Sequence, residues 1–284
     1  AFHQYLCQYN EEYVQLAAIQ SALPLANMAA LLIASPLIGT YALPVGFLLG
    51  HCVVFGLTAW RAKYRYRWRT VIRRDWEGTV FSNSAIVMGS GLVARLRIVV
   101  MNYLGSLLGG GAIAAVAMAN RLAEPLTRTV FTGVRMLMFS RTSRFAVDGK
   151  SEEIARLHEI GLKSSFLLLP PVLWWIGLNS DVIVQALFLR GEFDLRMATA
   201  VSLALVGLLP SVVFGVNALL SNAFYAMDRV AVPALVMPLG TLILLGVASP
   251  LSSRYGVLGL TLGTSISMAV VFVLLVTLLS QKVS

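Results

Sequence analysis

Residues 118–135 read MANRLAEPLTRTVFTGVR and set three arginines, Arg121, Arg128 and Arg135, at intervals of seven. A helix turns about 100° per residue, so this spacing returns each guanidinium to nearly the same face. Charge inside a bilayer is costly. A cationic stripe on an apolar helix therefore points to a polar cavity or pathway, whereas an arginine close to a helix end can reach the interface along its own stem.

The rest of the chain makes the bilayer the natural setting. Of 284 residues, 58% are hydrophobic and 12% charged, and the mean hydropathy is +0.79. The apolar residues come in runs of about twenty or more, the length that spans a hydrocarbon core of about 30 Å. The fold class expected is all-α, a polytopic membrane helix bundle of about eight spans, at 13–36, 41–60, 80–105, 112–139, 160–178, 197–225, 232–248 and 257–279. Pro24, Pro44, Pro125 and Pro210 lie inside these spans. Proline is tolerated there where neighbours or water satisfy the carbonyl it frees.

Orientation follows from the connections. The segment RAKYRYRWRTVIRRDWE, 61–77, carries seven basic residues, and 140–163 carries Arg141, Arg144, Lys150, Arg156 and Lys163. The connections on the opposite side carry few basic residues, among them Arg190 and Arg254. By the positive-inside rule the basic segments and both chain ends are cytoplasmic. The aromatics Tyr64, Tyr66 and Trp68 between the basic residues fit an interfacial belt over anionic lipid headgroups rather than a nucleic-acid surface. Most of the net charge of +9 is thereby topological.

No catalytic or metal chemistry is legible. His3, His51 and His158 have no ligand spacing, Cys7 and Cys52 form no C-x-x-C, and no nucleophile stands beside a base. No enzyme activity, metal or cofactor is expected.

The charges that remain concentrate on two helices. Arg95 and Arg121 each lie about ten residues from the outer end of their span, roughly 15 Å deep. The short 107–111 turn makes these two helices antiparallel neighbours, so Arg95 and Arg121 are expected to share a water-accessible space. Arg97 is rotated about 200° from Arg95 and faces elsewhere. The one internal acid, Glu124, is three residues after Arg121 and four before Arg128, within reach of either. It neutralises only part of the cluster. Several planar guanidinium forks around a wet cavity suit phosphate oxygens, while a cation transporter would want intramembrane acids.

Four segments then carry a family resemblance. AMANRLAEP (117–125), LFLRGEFD (187–194), LLSNAFYAMDRVAVP (219–233) and YGVLGLTLGTSIS (255–267) resemble, in order, motifs of the MurJ/MviN-type lipid II flippases of the multidrug/oligosaccharidyl-lipid/polysaccharide exporter superfamily. The family's cavity arginine falls on Arg121, with Asn120 before it. Helices five to twelve of a fourteen-helix, two-lobed exporter correspond to this chain. The resemblance thus implies a fragment that lacks the first four helices: 1–77 holds two helices ending the amino-terminal lobe plus a basic cytoplasmic linker, and 78–284 holds six helices of the carboxy-terminal lobe. The sequence departs from the family pattern at Arg95, Arg97, Arg128, Arg135 and Phe139, and Asp228 lies one place before the usual Asp.

What the resemblance implies is flipping of a prenyl-pyrophosphate-linked glycan, the peptidoglycan precursor lipid II, across the bacterial cytoplasmic membrane by alternating access. The substrate-binding residues expected are Arg121, Arg95, Arg128, Glu124, Arg97 and Asn120. The partners expected are the lipid-linked anionic glycan, anionic membrane lipids and the amino-terminal helices of the same protein. Export of another lipid-linked oligosaccharide or polysaccharide, a cation-coupled drug exporter and a nontransporting membrane subunit are the alternatives.

Overall fold

A computed structural model describes residues 13–61, 78–189, 193–227 and 229–283. His3, Cys7, most of the basic 61–77 connection, Arg190 and Asp228 lie outside the described residues. Every described element is a helix, as the apolar runs require. The chain divides into two compact units, Ala1–Asp75 and Trp76–Ser284.

In the first unit, α1 (Tyr13–Ile38) and α2 (Ala42–Arg61) are joined by the 3-10 turn Gly39–Tyr41. Small residues four apart on each helix let the two backbones approach. A Cβ placed on Gly46 would stand 2.9 Å from the Ala30 Cβ, and one on Gly50 would stand 2.7 Å from Leu23 Cδ1 and 3.6 Å from the Ala26 Cβ.

The second unit comprises α3 (Gly78–Leu107), α4 (Ala112–Val147), α5 (Ser151–Leu178), α6 (Ser180–Phe188), α7 (Leu195–Val213), a 3-10 turn (Phe214–Val216), α8 (Asn217–Ala226) and α9 (Ala231–Val283). α7 runs through its centre. Val201, Ala204, Leu205, Leu208 and Val212 on that helix are buried, and they belong to one core cluster with Ala115, Ala119 and Phe131 of α4 and Leu244 and Leu260 of α9. The outer face of α5 shows Leu167 and Trp174 exposed, the pattern of a helix whose solvent is lipid.

α9 is two helices. Its backbone leaves helical geometry at Gly256, with φ 59° and ψ −134°. A Cβ on Gly240 would meet Val271, one on Gly263 would meet Ala248 and one on Gly259 would meet the Leu251 carbonyl. All three pairs are centred on Tyr255 and Gly256. The halves 231–255 and 257–283 therefore fold back on each other as an antiparallel hairpin, the last two expected spans.

Among the described residues, four apolar helical stretches are long enough to cross a membrane, 21–57, 152–178, 195–226 and 231–281. The first holds the α1/α2 hairpin and the last both halves of α9. With the arginine-bearing α3 and α4, about 45 and 54 Å long at 1.5 Å per residue, they account for eight crossings.

Three expected boundaries are corrected. The 140–163 segment is not a loop: α4 runs on to Val147 and α5 begins at Ser151. Gly149, at φ 69°, ends α4, with Lys150 N–H donating to the Phe145 carbonyl at 2.9 Å and Gly149 N–H to the Ala146 carbonyl at 3.3 Å. Hydropathy falls where these helices leave the bilayer, but their helix-forming residues continue. The 197–225 span is interrupted at Phe214–Val216, four residues beyond Pro210, where Gly215 lies against Phe131. The connection after residue 178 holds the short helix α6.

Candidate substrate site

The site is built on the α3/α4 hairpin. α3 ends at Leu107, Gly109 and Gly111 take the positive φ values of the turn (93° and 91°), and α4 begins at Ala112. Between this hairpin, α7, the 3-10 turn that follows it and the second half of α9 lies a cavity of about 620 Å³.

Four of the six expected residues line this cavity: Arg97 from α3, and Asn120, Glu124 and Arg128 from α4. Arg97 is half-buried and donates through Nη2 to the Thr264 carbonyl of α9 at 3.4 Å. Glu124 pairs with Arg128. Both Nε (3.0 Å) and Nη2 (2.6 Å) of Arg128 donate to one oxygen, Oε1. The pair neutralises itself, so Arg97 leaves the cavity with an excess of one positive charge.

Arg95 and Arg121 do not line it. Both are exposed, and neither has an ion pair or hydrogen bond among the described residues. The space they were expected to share is instead fronted by Arg97, because α3 turns the Arg97 side of its surface toward α9. Arg135 is exposed further along α4.

The structure adds residues that the sequence did not single out. Thr127 lies on the cavity side of α4, seven residues after Asn120 and three after Glu124, so helical periodicity could have found it. Asn102, Ser211, Phe214, Thr264 and Met268 reach the same space from other helices. Nothing local in the sequence announces them.

Comparison with known proteins adds the decisive observation: residues 1–284 match the family described as Lipid II flippase MurJ. The chain belongs to that family. It is a multi-pass protein of the bacterial inner membrane, and the family is one of transporters. A curated MurJ lipid II flippase from Burkholderia cenocepacia is 28% identical over 145 residues, which are 50% of this chain and 28% of that relative. A solved lipid II flippase MurJ in an inward closed conformation superposes with a TM-score of 0.70 at 17% identity, covering 92% of this chain and 55% of that one. The Vibrio cholerae MATE transporter VcmN in its bent form gives 0.75 at 17% identity, over 99% and 66%. At these identities the two structures speak for the fold alone. The chain spans 28% of the MurJ relative's length and 55% of the solved MurJ chain.

Proposed function

We propose that this chain takes part in flipping a prenyl-pyrophosphate-linked glycan, the peptidoglycan precursor lipid II, across the bacterial cytoplasmic membrane by alternating access. The observation that carries the reading is the MurJ family match over residues 1–284, on a chain whose α3/α4 hairpin bears more guanidinium groups than it has acids to pair them. Arginine forks suit the two-pronged geometry of phosphate oxygens, and their charge needs an anionic partner in a medium of low dielectric.

In this reading Arg121 grips the pyrophosphate, Arg95 and Arg97 add field on the same hairpin, and the lobe rocks so that the headgroup site faces first the cytoplasm and then the outside. The prenyl tail stays in lipid throughout. Among the described residues the one acid at the cavity, Glu124, is already engaged by Arg128, which disfavours a cation-coupled drug site there.

Complementation of a flippase-deficient strain by the full-length gene tests the reading. Growth should fall in the order Arg121, Arg121→Lys, Arg121→Ala at equal membrane abundance. Full rescue by Arg121→Ala would remove the headgroup role.

A further inference from the structure

α8 stands apart from the helix that leads into it. Pro210 has no N–H to offer the Val206 carbonyl one turn earlier, and the chain leaves α-helical geometry at Phe214–Val216, where Gly215 lies against Phe131. Before this break, α7 is buried in the core cluster described above. Beyond it, Leu220, Ala223 and Phe224 of α8 form a second cluster with Val236, Val271, Leu275 and Leu279 of α9. The Phe214 ring marks the boundary, its centre 6.2 Å from that of Phe166 on α5 and 5.8 Å from that of Phe272 on α9. A 3-10 break between two cores is a place where one segment of a helix can turn while the other stays packed.

Among the described residues, two polar side chains tie α8 to its neighbours. Asn217, at its start, donates from Nδ2 to the Met268 carbonyl of α9 at 3.0 Å. The second tie is His158 of α5, a ring only 3% exposed. Its Nδ1 lies 2.9 Å from the Ile154 carbonyl of its own helix, and the ring also meets the Leu219 carbonyl of α8. With Nδ1 turned to its own helix, Nε2 is the nitrogen left for α8.

A neutral ring cannot satisfy both carbonyls. It has one N–H, so bonding one carbonyl sets the lone pair of the other nitrogen against the second oxygen. An imidazolium donates to both. Burial opposes its charge and the two carbonyls favour it. Charged side chains stay away from the ring: Arg156, Glu159 and Lys163 of α5 and Arg141 and Arg144 of α4 are exposed. α8 carries no charged residue and has Tyr225 at its far end, and Arg254 of α9 sits at the distant bend. With α8 in place the charged ring has two acceptors; with α8 turned away it keeps one. The proton on His158 and the position of α8 therefore depend on each other.

We propose that His158 is a proton-operated latch: the charged ring joins Ile154 of α5 to Leu219 of α8 and holds the two helices together, and the neutral ring releases α8 to turn about the Phe214–Val216 break. The device makes no use of the transported lipid, so it stands or falls apart from the function proposed above.

The test uses the full chain in detergent with His3→Gln and His51→Gln, which leaves His158 as the one imidazole, and with Cys7→Ser and Cys52→Ser. Spin labels go on Ser164→Cys of α5 and Tyr225→Cys of α8, both exposed positions. Nitrogen-15 resonance of the ring and the distance between the labels are followed between about pH 5 and 8, the range in which histidine changes charge. As the pH rises the ring should pass from two N–H groups to one, and over the same interval the label distance should shift by about 1 to 2 Å or more, the scale of helix shifts. His158→Gln, which donates without titrating, should make the distance independent of pH. A distance that stays fixed while the ring titrates would overturn the latch. So would a pH-dependent distance that survives in His158→Gln, or a ring that keeps a single N–H throughout the range. Should His158→Gln fail to fold, agreement or disagreement between the ring and distance curves of the unsubstituted His158 chain still decides the point.

Discussion

Arg128 holds Glu124 through two nitrogens on a single carboxylate oxygen, Nη2 at 2.6 Å and Nε at 3.0 Å. That choice leaves Arg121, one turn earlier on the other side of Glu124, without a partner among the described residues. The acid therefore neutralises Arg128, nearer the C-terminal end of α4, and leaves Arg121 without a counter-charge among the described residues.

The pair itself should contribute little to stability. Its side chains are 75% and 58% exposed, and i,i+4 pairs of this kind stabilise by less than about 1 kcal/mol. Glu124→Gln should leave the thermal midpoint of the detergent-purified chain within a few degrees of wild type while adding a free positive charge to the cavity. A large drop in the midpoint would show that the carboxylate has a structural role that these contacts do not reveal.

Close helix approach makes a sharper prediction in α9. A Cβ on Gly263 would stand 2.6 Å from the Ala248 Cβ and 2.7 Å from its Cα, whereas one on Gly246 meets nothing within 4 Å. Gly263→Ala should destabilise by about 1 to 3 kcal/mol through forced separation of the two halves. Gly246→Ala should be neutral or stabilise by up to about 1 kcal/mol through helix propensity. Parallel melting curves of the two variants decide the point; equal midpoints would contradict the hairpin geometry.

Gly256 tests the same hairpin at its bend. Its φ of 59° with ψ −134° is open to glycine and strained for any residue with a Cβ, although a Cβ there would touch nothing within 4 Å. Gly256→Ala should cost on the order of 1 to 3 kcal/mol, entirely through the backbone. An unchanged melting temperature would mean that the bend has another conformation.

The orientation is open to a labelling experiment. In a Cys7→Ser, Cys52→Ser background of the full-length protein, a cysteine at Asp148 should react with a membrane-impermeant thiol reagent only from the cytoplasmic side, and one at Gly110 only from outside. Both positions are exposed and lie in the turns at opposite ends of α4. Labelling of both from one side would overturn the eight-crossing arrangement.

How far the sequence could be read depended on what each residue answers to. The 107–111 turn was legible because its three consecutive glycines, Gly109 to Gly111, stop a helix unaided, and Gly109 and Gly111 do adopt positive φ. The C-terminal end of α4 and the N-terminal end of α5 were not, because hydropathy tracks the apolar segments while the helices continue beyond them through residues such as Arg144 and Glu152. The 3-10 interruption at Phe214 follows from Gly215 packing against Phe131, 84 positions earlier, a contact no local pattern announces. The site shows the same division. Depth along a helix placed Arg95, Arg97 and Arg121 on neighbouring segments, but α3 is apolar on both sides of its arginines, so periodicity could not say that Arg97 is the one turned toward Thr264.

The measurement that bears most directly on the central claim is the exposure of lipid II on the outer face of the cytoplasmic membrane. In flippase-depleted cells carrying the full-length gene, the fraction of lipid II cleaved by an externally added lipid II-degrading enzyme would be compared for Arg121, Arg121→Lys and Arg121→Ala, with membrane abundance quantified in parallel. The account predicts restored cleavage with Arg121, an intermediate fraction with Arg121→Lys, and a fraction near the depleted level with Arg121→Ala at equal abundance, since only the arginine offers both the charge and the planar fork. Wild-type exposure of lipid II by an equally abundant Arg121→Ala protein would contradict it.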